Sequence, residues 1–144
     1  MRILRLLLVF LLAFPAAAMA EGMTSLAEAR KAADAAVALF GEERIVEGYG
    51  SLKPFWPHSP LEIDSMAGEA FMQWPMMKRR FGDFVAVEFV KELRAGESLV
   101  RYIYLHKFQN HAVRWVITFY RPTDRWLVNG IFMDDRIDLL LAEP

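Results

Sequence analysis

Between Phe84 and Met133 the chain reads FVAVEFVKEL, SLVRYIYLHKF, AVRWVITFY and RWLVNGIFM, four β-rich runs joined by only a few residues each. Links that short make consecutive runs antiparallel neighbours, because a parallel pair needs a crossover of a dozen residues or more. Helical spacing prevails upstream, and only a short tail follows. The expected fold class is therefore α+β, with N-terminal helices packed on one face of a bent four-stranded antiparallel sheet.

Two dipeptides set the expected register. Ala95-Gly96 and Gln109-Asn110 each suit a tight turn. Two-residue loops at both places would oppose Phe89 to Tyr102, Val87 to Tyr104, Tyr104 to Trp115 and His106 to Val113. One face then collects Val85, Val87, Phe89, Tyr102, Tyr104, His106, Val113, Trp115, Ile117 and Phe119, and is the face assigned to the helices. The other carries Glu88, Arg101, Ile103, Arg114, Val116 and Thr118. A slip of one residue in either turn would exchange the faces. Pro122-Thr123-Asp124 supplies the last turn and leaves the facing of Trp126 and Leu127 open.

Upstream, Ser25-Leu26-Ala27-Glu28 has the form of a capping box. Leu26, Ala29, Ala33, Val37 and Phe40 follow on one helical stripe, and Gly41 is a candidate stop. A second helix is expected from about Glu42, with Ile45, Tyr49 and Leu52 on one face. Lys53 to Pro60 reads KPFWPHSP, and its prolines break regular structure. Phe55 and Trp56 there either plug one end of the core or form an aromatic lip on a pocket. A third helix starts at the Ser59 cap, with Pro60 at its first position and Glu62 completing the box. Its apolar stripe is Ile63, Ala67, Ala70, Trp74 and Met77, and Pro75 should kink it. Lys78, Arg79 and Arg80 suit the negative end of the helix dipole, or else an anionic lipid or phosphate.

The first twenty residues carry a different message. Arg2 and Arg5 precede the apolar run Leu6–Phe14, and Ala18-Met19-Ala20 has the form of a cleavage site. The expected organisation is a signal peptide over 1–20, cleaved after Ala20, then one domain over 21–144, placed in the periplasm or secreted. The apolar run is too short to span a bilayer comfortably, so no membrane span is expected after cleavage. The formal net charge of −1 for the whole chain becomes −3 without the two leader arginines. That balance argues against nucleic acid as a partner. There is no cysteine, which excludes disulfide staples, thiol redox chemistry and cysteine nucleophiles.

Two or three helices followed by a long antiparallel meander resemble the NTF2-like and cystatin-like α+β superfamily. The stretch Phe119-Tyr120-Arg121-Pro122-Thr123-Asp124-Arg125-Trp126-Leu127 is similar to a hairpin common in its small exported members. The resemblance implies a bent sheet wrapped around helices, often with a cone-shaped cavity between them. The superfamily includes isomerases, dehydratases, epoxide hydrolases, transport factors and binding proteins. Its isomerases set a tyrosine and two carboxylates in the cavity. The face assigned to the helices here holds Tyr and His but no Asp or Glu, so that pattern does not carry over.

Tyr102, Tyr104, His106 and Trp115 are the candidate ligand-binding residues, since they share one face on adjacent strands. A histidine beside tyrosine hydroxyls can orient or protonate a carbonyl group; amphipathic aromatics in a plain core explain the same pattern. Met66, Met72, Met76 and Met77 on the third helix suit an adaptable apolar cavity beneath it. Arg101 and Arg114 on the opposite face are candidate interface residues, for a protein partner or for a homodimer through the sheet. His58, His106 and His111 lack the convergent ligand set of a zinc site, and Asp134, Asp135 and Asp138 read as a solvated chain end. No metal or cofactor is expected. The function expected is an exported, non-catalytic binding protein for a small apolar or aromatic ligand or a protein partner. The alternative is an enzyme of isomerase or dehydratase type using a cavity His and Tyr.

Overall fold

The computed structural model describes residues 20–141. The expected leader and its cleavage site fall on 1–20 and so lie outside the described residues but for Ala20. Three helices come first: α1 (Leu26–Gly41), α2 (Ile45–Leu52) and α3 (Pro60–Phe81). A single 3-10 turn at Lys53–Phe55 fills the proline-rich corner. Ser25 caps α1 by accepting from the Glu28 N–H. Glu28 does not reach back to Ser25; its carboxylate takes the N–H and hydroxyl of Thr24 instead. Gly41 is the last helical residue, and the chain leaves the helix through Glu42 and Glu43, the latter at φ 62°. That excursion delays α2 to Ile45. The capping box of α3 is complete in both directions. Helical structure runs on through Pro75 to Phe81.

The sheet is β1 (Phe84–Ala95), β2 (Leu99–Phe108), β3 (Ala112–Tyr120) and β4 (Leu127–Asp134), antiparallel throughout in the order β1-β2-β3-β4. Between β2 and β3 the expected pairs form: Tyr104 faces Trp115 and His106 faces Val113. Phe108 N–H donates to the His111 carbonyl across Gln109-Asn110 at 2.9 Å. Between β1 and β2 the register differs. The loop is Gly96-Glu97-Ser98, three residues instead of two, with Gly96 at φ 59°, a left-handed conformation that glycine adopts freely. Phe89 therefore faces Tyr104, and Val87 faces His106. A longer loop alone would have exchanged the faces. A register shift between Phe89 and Lys91 restores the parity, so Phe89 and Val87 still point toward the helices. A second shift, between Phe84 and Ala86, turns Val85 out to 58% exposure, against the expectation that it joins the helix face.

The aromatic face is the one beneath the helices. Tyr102, Tyr104, His106, Val113, Trp115, Ile117 and Phe119 are all buried there. They meet Ala33, Val37 and Phe40 of α1, Ile45 and Leu52 of α2, and Ile63 and Trp74 of α3. The Phe40 ring stacks on Trp115 with centroids 4.1 Å apart. Alanines along α1 bring its backbone close to the sheet. Trp126 turns inward and pairs with Met23: each donates its N–H to the other's carbonyl at 2.8 Å. That exchange ties the segment before α1 to the last hairpin. After β4 a short helix, α4 (Asp138–Leu141), follows, and Lys91 reaches from β1 to the Leu140 carbonyl at 3.3 Å.

Candidate functional site

The four residues singled out in the sequence come together in the core, and none lines a groove described below. Tyr102 donates to the Leu26 carbonyl at 3.2 Å. Tyr104 donates to Asp34 Oδ1 at 2.6 Å, and Arg30 Nε holds the same oxygen at 2.8 Å. The Arg30 guanidinium also lies 3.4 Å over the Phe89 ring. Tyr104 therefore does meet a carboxylate, one delivered by α1 and not by the sheet. Burial pushes the Tyr104 hydroxyl pKa up, and the Asp34 carboxylate adds to the shift. The result is a neutral tyrosine that fastens α1 to β2.

His106 is fully buried, and neither of its ring nitrogens has a hydrogen-bond partner. Trp74, Phe84 and Phe108 surround it, with the Phe108 ring stacked 4.7 Å away. Burial alone lowers its pKa to about 4, so it is neutral at ordinary pH. No carboxylate or hydroxyl is within hydrogen-bond reach of either nitrogen. A general acid or base needs a proton partner and access to a reacting group; His106 has neither. His111 is half-buried against Phe81, with ring centroids 4.6 Å apart. Among the described residues no three metal-ligating side chains converge.

The two candidate interface arginines separate. Arg101 is exposed, with Nε on Thr118 Oγ1 at 3.2 Å, beside a shallow hollow of about 170 Å³ lined also by Leu93 and Leu99. Arg114 is buried and grips Asp134 with two nitrogens at 2.6 and 2.8 Å. That ion pair holds the Asp134 carboxyl below its ordinary range. Asp134 is thus a structural partner and not part of a solvated chain end.

A larger concavity than this hollow lies elsewhere among the described residues. A groove of about 400 Å³ runs between α1 and the Ser51–Phe55 corner. Met23, Ala32, Ala35 and Phe55 supply apolar lining, and Glu28, Lys31 and Ser51 add polar groups. Its origin is local. Ala32 and Ala35 stand one position off the core stripe of α1, and their single methyls leave room that a larger side chain would fill. The 3-10 turn swings Phe55 over that gap, so the aromatic-lip reading fits Phe55 while Trp56 is buried in the core. Lys31 has no ion-pair partner among the described residues. Glu28 is already committed to Thr24. Sequence reasoning missed this site because alanines carry no chemical signal. The available hint was the pair Ala32 and Ala35 beside a proline-fixed aromatic.

A second, narrower cleft lies where α3 stands off from β4. It comprises two hollows of about 190 Å³ each that share Gln73 and Met133. Met66 and Met77 face it, whereas Met72 and Met76 point to solvent. Only half of the expected methionine cluster therefore borders a cavity.

No protein-family model matches the chain, and no curated protein matches it. Among solved structures it is similar to a protein of Thiobacillus denitrificans assigned as a calcium/calmodulin-dependent protein kinase type II association domain. The two share 18% identity over 72% of this chain and 91% of that one, with a TM-score of 0.42. A likeness that distant carries no conclusion; the α+β architecture rests on the element order and sheet topology above. No helix among the described residues is long and apolar enough to cross a membrane.

Proposed function

We propose that the protein is an exported, non-catalytic binding protein of NTF2-like form. Its ligand is a small apolar molecule bearing an acidic group, held in the groove between α1 and Phe55. The groove carries this reading. Its volume of about 400 Å³ falls within the range of small-molecule sites, which are mostly apolar with a few placed polar groups. Met23, Phe55 and the alanine methyls suit the apolar body of the ligand. Lys31, with no ion-pair partner among the described residues, suits its acidic head. The basic, apolar and A-x-A succession over 1–20 supports export. The isomerase or dehydratase alternative draws no support, since His106 has no proton partner and Tyr104 is committed to Asp34.

Titration with anilinonaphthalene sulfonate, an apolar anion, followed by fluorescence tests the site. The expected result is saturable binding of one probe per chain, weakened at least tenfold by Ala35→Trp, which fills the groove. Lys31→Glu should weaken this probe and spare an uncharged naphthalene. Equal binding by the Ala35→Trp protein, with its melting temperature retained, would place the ligand elsewhere. Export is tested separately: protein recovered from the periplasm or medium should begin at Glu21.

A further inference from the structure

The cleft between α3 and β4 holds polar groups that the fold leaves uncommitted. Met66, Glu69, Ala70, Gln73, Met77 and Arg80 border it from α3. Their spacing of three and four residues places them on one stripe of the helix. That stripe forms a continuous wall opposite Ile131 and Met133 of β4. Each of the two hollows holds about 190 Å³, and they join at Gln73 and Met133. The joined shape suits a slender chain better than a ring system.

Tyr49 of α2 lines the same hollow as Glu69 and Gln73. It is only 5% exposed, yet its hydroxyl has no hydrogen-bond partner among the described residues. Unlike the indole N–H groups of Trp56, Trp74 and Trp115, which are enclosed, that hydroxyl reaches open space. Burial and the nearby Glu69 carboxylate push its pKa up to about 12. Tyr49 is therefore a neutral phenol with an oxygen free to accept. Of the three carboxylates on α3, Glu62 closes the helix cap and Asp64 is held by Lys53 at 2.5 Å. Glu69 has no ion-pair partner among the described residues. At the far end of the cleft Arg80 lies 3.8 Å from Asp135, and Asp134 is already gripped by Arg114.

We propose that this cleft is a second ligand site and that its ligand is an aliphatic amine. The ammonium head sits among Glu69, Tyr49 and Gln73. An ammonium offers three N–H donors and no acceptor, and these residues present a carboxylate, a phenol and an amide oxygen to receive them. Glu69 supplies the opposite charge. The alkyl tail runs past Ala70 and over Met133 toward Met77. Methionines re-pack around chains of differing shape, so recognition rests on the head. Arg80 at the far end fixes the direction, since it repels an ammonium there. An acid fits poorly: Glu69 repels it at one end, and Asp134 and Asp135 offset Arg80 at the other. The cleft is separate from the α1 groove, where Lys31 favours an acid, and does not depend on that reading.

Calorimetric titration of the purified protein with hexylamine tests the proposal. A single saturable site is expected, with hexanoate and hexanol bound more weakly. Glu69→Gln should weaken hexylamine about fivefold, as for loss of an exposed ion pair. Tyr49→Phe removes a hydroxyl that no protein group uses, so it should weaken the amine several-fold and keep the melting temperature. Ala35→Trp, in the α1 groove, should leave hexylamine binding unchanged. Absence of saturable hexylamine binding overturns the proposal, as does equal affinity for hexanoate. Binding undiminished by both Glu69→Gln and Tyr49→Phe overturns it too. Loss of the amine on Ala35→Trp would place it in the α1 groove and have the same consequence.

Discussion

Among the described core residues, His106 leaves the most side-chain polar atoms without a partner. It brings two polar nitrogens into an aromatic cage and satisfies neither. An unpaired buried polar group typically costs about 1–3 kcal/mol. His106→Leu removes both nitrogens at similar volume, at the expense of the stack on Phe108, and should leave stability at neutral pH equal or higher by about 1 kcal/mol. The wild-type pH dependence follows from the same burial. With a folded pKa of about 4 against an ordinary 6.5, the unfolded chain binds the proton more readily between those values. This contribution is neutral above about pH 6.5, and stability falls as pH drops toward 4, by about 3 kcal/mol in all. Urea unfolding of both proteins across that range checks this: the His106→Leu curve should be flatter. Equal slopes would mean that His106 is not neutral and buried in the folded protein.

Among the elements, α2 shows how a sequence rule can mislead in one place and hold in another. Gly48 and Gly50 both lower helix propensity, yet they differ in surroundings. A Cβ on Gly48 would come within 2.2 Å of the Phe40 ring and 3.0 Å of the Ala36 carbonyl oxygen. Phe40 cannot step aside, because it is stacked on Trp115. A Cβ on Gly50 would meet nothing within 4 Å. Gly50→Ala should therefore stabilise by about 0.5–1 kcal/mol, whereas Gly48→Ala should destabilise by about 1–3 kcal/mol. Thermal denaturation of the two variants separates close helix approach from intrinsic propensity. The caps of α1 and α3 and the β2–β3 register were legible in the residues, because each depends on neighbours in sequence. The β1–β2 register was not: a three-residue loop and a compensating bulge at Val90 leave the same alternation of side chains. Asp34 was missed for a similar reason, since only the packing of α1 on β2 brings it to Tyr104.

At the scale of the whole molecule, the segment before α1 joins parts that are far apart in sequence. Met23 pairs with Trp126, and the Glu21 N–H donates to the Pro54 carbonyl at 2.8 Å. The wall of the α1 groove formed by Gly22 and Met23 is thus fixed by the last hairpin and the proline corner together. Trp126→Ala should cost about 3–5 kcal/mol, as for other buried large-to-small changes. It should also weaken probe binding in the groove, although Trp126 does not line it. Unfolding and titration on the same variant measure both effects. Retained affinity would show that the hairpin does not hold the groove in shape. The aromatic face was recognisable as a unit from alternation alone, but whether it enclosed a ligand or a packed core depended on how closely three helices descend on it.

The two register shifts in β1 have one further consequence. This strand lies at the border of the sheet, with unpaired backbone groups along its outer side. A long, flat border strand is a template on which other chains add and aggregate. Here the ladder is broken at Val85 and again at Val90, and the stretch beyond carries Lys91, Glu92 and Arg94. An incoming strand finds no uninterrupted run to pair with. The irregularity that keeps the aromatic rings inward also protects the protein from strand-by-strand growth.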